Sequence, residues 1–61
     1  TEREKEVVNL LAKGYTYKKI AQALQIALPT VKNHVRSILE KTDAENRVEA
    51  INRAREVGLI H

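Results

Sequence analysis

The chain has 61 residues, 43% hydrophobic and 31% charged, with a formal net charge of +3 at neutral pH and no cysteine. That length allows one small domain with a modest core. The absence of cysteine excludes disulfides and thiolate metal sites, and no apolar run approaches the roughly 18 residues that a membrane span needs.

The first helix starts with Thr1 as N-cap and Glu4 three residues on, the spacing of a capping box. Glu2, Glu4 and Glu6 sit near the positive end of its dipole. Val7, Leu10 and Leu11 form its apolar stripe, and Glu6 beside that stripe is expected to reach a cation on another helix. Lys13-Gly14 reads as its stop, with the glycine left-handed. The second helix is short. Thr16 is its N-cap, Ile20, Ala21 and Leu24 share one face, and Lys18 and Lys19 point elsewhere. Gln25-Ile26-Ala27 is a tight connection with Ile26 in the core.

The third helix is LPTVKNHVRSILEK, residues 28 to 41. Pro29 is tolerated in its first turn, where a missing N–H costs nothing. Ala27 or Leu28 is a poor N-cap, so this end is expected to be less well held. Val31, Val35, Ile38 and Leu39 fall within about a 100° arc. Lys32, Asn33 and Arg36 cluster on the other side, with Thr30, His34 and Lys41 along one edge. The fourth helix starts at Asn46, with Glu49 in a second capping-box position. Ala50, Ile51 and Ala54 are its inner face, Gly58 ends it, and Leu59 and Ile60 are expected to fold back onto the core. The fold class is therefore all-α, four helices joined by short links.

A short helix, a tight turn and a longer helix with one apolar and one basic face make a helix-turn-helix. Between Val7 and Leu39 the chain holds no acid, but it carries Lys13, Lys18, Lys19, Lys32, Arg36 and His34. A basic middle between acidic ends suits a surface that faces a polyanion. Lysine and arginine match guanine O6 and N7, and asparagine matches adenine N6 and N7. Lys32, Asn33 and Arg36 are thus the candidate base readers. Lys18, Lys19, Thr30, His34 and Lys41 are candidates for the phosphate backbone. Singly, each is an ordinary surface or capping residue; the argument lies in their shared helix face.

The TERE-x-EV opening, Gly14, the K-x-IA of helix two, the TVK-x-HV of helix three and the NR-x-EA of helix four occur in that order. This set resembles the LuxR/NarL/FixJ-type (GerE-like) DNA-binding domain of bacterial transcription regulators over nearly the whole chain. The resemblance implies a four-helix domain whose third helix enters the major groove of double-stranded DNA. It also implies dimers, often through the fourth helix, on inverted or direct repeats, and tethering in many members to a receiver or small-molecule sensor domain. Residues 1–61 are accordingly expected to be one domain of a longer, cytoplasmic regulator.

Position by position, Lys32, Asn33 and Arg36 occupy places that usually reach bases. Thr30 and His34 match the T and H of the motif, and Lys18 matches a lysine near the backbone. Arg47 matches the arginine that opens helix four and is read as a partner of Glu6 or of a helix C-terminus rather than of DNA. Three departures stand out. Tyr17 replaces a usual asparagine. Ala27-Leu28-Pro29 replaces a Ser-Glu-Lys-like start, which is expected to alter the entry of helix three. Thr42-Asp43-Ala44 replaces a leucine-centred link, which is expected to set helix four slightly differently.

Region 4 of a sigma factor shares the TERE opening, but it usually ends soon after the recognition helix in basic residues. Here NRVEAINRAREVG follows, and its Val48, Asn52 and Arg55 lie on one line as a candidate dimer seam. A protein-interaction module that keeps the fold without the DNA role is the other alternative, and Leu28-Pro29 is its best argument. RNA polymerase is a further candidate partner. An enzyme is disfavoured. Ser37 is the only serine and Asp43 the only aspartate, and neither His34 nor His61 has a metal-ligand neighbour at suitable spacing. No glycine-rich phosphate loop or cofactor-binding pattern is present. A membrane-surface role would need tryptophan or phenylalanine on a larger apolar face, and the chain has neither.

Overall fold

Four helices and their links make up residues 2–58, the part of the chain described by this computed structural model. They are α1 (Glu2–Ala12), α2 (Tyr17–Leu24), α3 (Leu28–Thr42) and α4 (Arg47–Glu56). Thr1, Leu59 and Ile60, expected as a cap and a fold-back, lie outside the described residues. No helix among those described is long and apolar enough to cross a membrane.

The core is assembled from one stripe per helix. Val7, Val8 and Leu11 come from α1, Ile20 and Ala21 from α2, Val31, Val35 and Ile38 from α3, and Ala50 and Ala54 from α4. Ile20, Val7 and Val31 are the largest fully buried side chains. Burial of each is worth about 1.5–3 kcal/mol. Helix α3 packs on α1, α2 and α4 and is the central element. Two sequence expectations need correction. Val8 is buried and Leu10 only half-buried, because α1 packs on both α3 and α4 and so needs a wider stripe. Glu6 reaches no other helix; it pairs at 2.9 Å with Arg3 one turn earlier.

Three helices end in the same way. Gly14, Gln25 and Asp43 follow α1, α2 and α3 with φ of 91°, 56° and 54°. In each case the next N–H reaches five residues back: Tyr15 to Leu10, Ile26 to Ala21 and Ala44 to Leu39, all at 3.0 Å. This Schellman arrangement satisfies the last carbonyls. It also carries Ile26 and Ala44 onto the core. Gln25 and Asp43 adopt a left-handed conformation that favours glycine. Each is followed by a partly buried apolar residue that packs against the core, Ile26 and Ala44.

The starts are capped as the residue types require. Thr16 Oγ1 accepts the Lys19 N–H at 3.1 Å, and Asn46 Oδ1 accepts the Glu49 N–H at 2.9 Å. The second capping box is only half made: the Glu49 carboxylate turns forward to Arg53 at 2.9 Å. Helix α3 has no side-chain cap at Ala27, and Pro29 sits in its first turn.

Candidate nucleic-acid interface

Helices α2 and α3, joined through residues 25–27, form the helix-turn-helix. Its geometry follows from α3. Val31, Val35 and Ile38 turn into the core, so Lys32, Asn33 and Arg36 are forced outward. Residues three and four apart on a helix are neighbours, so these three side chains form one exposed patch. Lys18 and Lys19, in the first turn of α2, are exposed as well. Among the described residues, none of Lys18, Lys19, Lys32, Asn33 and Arg36 has an ion pair or a side-chain hydrogen bond. Thr30 is exposed and His34 half-buried on the edge of α3, as its helical phase requires.

The far end of that edge is closed. Glu4 of α1 accepts a hydrogen bond from Ser37 Oγ at 2.8 Å and from Lys41 Nζ at 2.7 Å. The Lys41 ammonium holds the Glu4 carboxyl down at a pKa of about 2, with the Ser37 hydroxyl helping and burial opposing. Lys41, a candidate phosphate contact, is thus already engaged by an anion. Sequence reasoning missed this tie because Glu4 was assigned to the cap of its own helix. The available signal was the phase of Ser37 and Lys41, which share a face of α3 four residues apart.

Arg47 also differs from expectation. Glu6 is taken by Arg3. The Arg47 guanidinium instead lies over the Tyr17 ring, 5.5 Å from its centroid. Tyr17, the departure from the usual asparagine, therefore supplies an aromatic platform at the start of α2. The seam candidates Val48, Asn52 and Arg55 are all exposed on α4, and Val48 keeps 64% of its surface accessible.

Comparison with known proteins agrees with this arrangement. Residues 1–54 match the GerE family, described as bacterial regulatory proteins of the luxR family. The match runs through most of α4, which the sigma-factor alternative does not explain. Transcriptional regulatory protein DesR of Bacillus subtilis (strain 168) is 52% identical over 95% of this chain and 29% of its own length. Response regulator protein VraR of Staphylococcus aureus (strain Mu3 / ATCC 700698) is 45% identical over 98% of this chain and 29% of its own length. The chain therefore spans less than a third of either relative. The solved structure of the transcription factor GerE superposes with a TM-score of 0.96 at 33% identity, covering 100% of this chain and 91% of that one. The four-helix arrangement therefore matches that of GerE through both Ala27-Leu28-Pro29 and Thr42-Asp43-Ala44. The chain belongs to the luxR family of bacterial regulatory proteins, as a GerE-type helix-turn-helix domain.

Proposed function

We propose that this domain binds double-stranded DNA in a sequence-specific way, with α3 in the major groove. Lys32, Asn33 and Arg36 read base edges, while Lys18, Lys19, Thr30 and His34 meet phosphates on either side. The observation that carries this reading is the outward patch on α3: two cations and an amide, exposed and without partners among the described residues, opposite a buried valine stripe. Lys41 contributes less to the phosphate set because Glu4 competes for its ammonium.

Two copies act together through α4, with Val48, Asn52 and Arg55 at the seam, on paired half-sites. The exposed Val48 supports a contact there, since an apolar side chain gains by burial. The name of VraR, a response regulator protein, and that of DesR, a transcriptional regulatory protein, support a place for this domain as the output end of a response regulator.

Selection from a random duplex library at two salt concentrations tests the proposal. The expected result is one short enriched half-site, paired at fixed spacing, with binding that weakens as salt rises. Salt-sensitive binding without enrichment would contradict base reading. It would favour the protein-interaction reading, to which the exposed Leu28-Pro29 start belongs.

A further inference from the structure

Tyr15, Leu28 and Val48 are three of the four large hydrophobic side chains that remain exposed among the described residues. All three line one open groove of about 520 Å³ where α2, α3 and α4 meet. Lys18, Lys32 and Arg47 line it as well, and no carboxylate does. Three cations from three helices are thus gathered where nothing in the lining offsets their repulsion. The sequence separates them widely; only the fold brings them together.

Arg47 is held in a particular way. It has no carboxylate partner among the described residues, and its guanidinium carbon lies over the Tyr17 ring, 5.5 Å from the centroid. A guanidinium held by an aromatic ring rather than by a carboxylate keeps its N–H donors available. That presentation suits a phosphate, which accepts two parallel N–H bonds. Lys32 belongs both to this groove and to the base-reading patch of α3. A backbone strand bordering the major groove at Lys32 therefore runs on across Lys18 and Arg47. An acidic peptide would use the same cations, but it would have no reason to be continuous with the base-reading face.

We propose that Arg47, positioned by the Tyr17 ring, is a DNA-backbone contact on the phosphate next to that held by Lys18, with Leu28 against the intervening sugar. The proposal rests on the DNA-binding reading above. It departs from the sequence-based reading of Arg47 as a partner of Glu6 or of a helix C-terminus rather than of DNA.

The test is the salt dependence of binding to two duplexes, one with the selected half-sites and one scrambled. Arg47→Gln lowers the slope of log K against log salt by about 0.9 on both duplexes, the value for one phosphate. Between 50 and 200 mM salt this makes the loss of affinity about 3.5-fold smaller than for the unmodified chain. The preference for the selected duplex is unchanged. Tyr17→Phe keeps the ring and the full slope, whereas Tyr17→Leu loses part of it. Lys18→Gln, on an exposed side chain, gives a drop of the same size and serves as the standard. A melting curve followed by helical circular dichroism verifies that each variant is folded. A folded Arg47→Gln with the unmodified slope overturns the proposal and leaves the groove to an acidic partner. An unmodified chain without salt-dependent binding would instead remove the DNA reading itself, so the two failures are distinguishable.

Discussion

Two sides of this small domain carry cations and treat them differently. Where α1 and α4 flank the end of α3, Arg3, Lys5, Lys41 and Arg53 lie 2.9, 3.7, 2.7 and 2.9 Å from a glutamate. On the side built by the start of α2 and the outer face of α3, Lys18, Lys19, Lys32 and Arg36 have no such partner among the described residues. Exposed ion pairs contribute only about 0–1 kcal/mol each, so the first side gains little stability from its pairs. What the pairing does is cancel the local field. The formal charge of +3 is then concentrated on the second side, where a polyanion would feel it.

The largest effect removes both sides together. Ile20 is fully buried beneath the turn of the helix-turn-helix. Ile20→Ala should destabilise the domain by about 2–5 kcal/mol, read as a large fall in the midpoint of a urea melt. A smaller change sharpens the second side alone. Lys32→Ala should relax discrimination by about 1–3 kcal/mol at one base pair and leave the melt unaltered. Competition among single-base operator variants would measure it.

The first side is addressed through Glu4. Its carboxyl titrates at about 2 in the folded chain against 4.5 for a free glutamate. A lowered folded pKa stabilises above the unfolded value, and that contribution is lost as pH falls from 4.5 through about 2. Because Lys41 is 58% exposed, screening reduces the effect to about 1–2 kcal/mol. Glu4→Gln should lower stability at neutral pH by that amount and flatten the acid decline of the melting temperature. A decline as steep as that of the unmodified chain would assign the acid sensitivity to other carboxylates. The smallest change removes no charge from either side. Gly14 has φ of +91° and nothing within 4 Å of an added Cβ, so Gly14→Ala should cost about 1 kcal/mol through backbone conformation alone. A chemical melt would register this with DNA binding preserved.

Much of this was legible in the sequence. The valine stripe of α3 fixed which side chains had to point outward, and Thr16, Asn46 and Pro29 marked three helix starts by local chemistry. What escaped was non-local. Val8 becomes core only because α4 packs beside α3. The Glu4 bonds to Ser37 and Lys41 span more than thirty residues; the phase of α3 puts Ser37 and Lys41 on one face but does not name the residue that meets them. The same holds for Arg47 and Tyr17. Charge complementarity suggested Glu6 for Arg47, but Arg3 lay nearer to Glu6 along its own helix. Gln25 and Asp43 were invisible as left-handed residues because neither is glycine; a half-buried apolar residue follows each one, Ile26 and Ala44.

The most direct test compares one arginine from each side. Arg36→Gln and Arg53→Gln remove the same charge from the same residue type. Only Arg36 belongs to the unpartnered face, since Arg53 is paired with Glu49. Binding to the selected duplex and to its single-base variants would be measured for both at one salt concentration. The account predicts that Arg36→Gln loses affinity and discrimination while Arg53→Gln binds as the unmodified chain does. Equal losses in both would mean that net charge alone governs binding, contradicting the assignment of the second side as the DNA-reading surface.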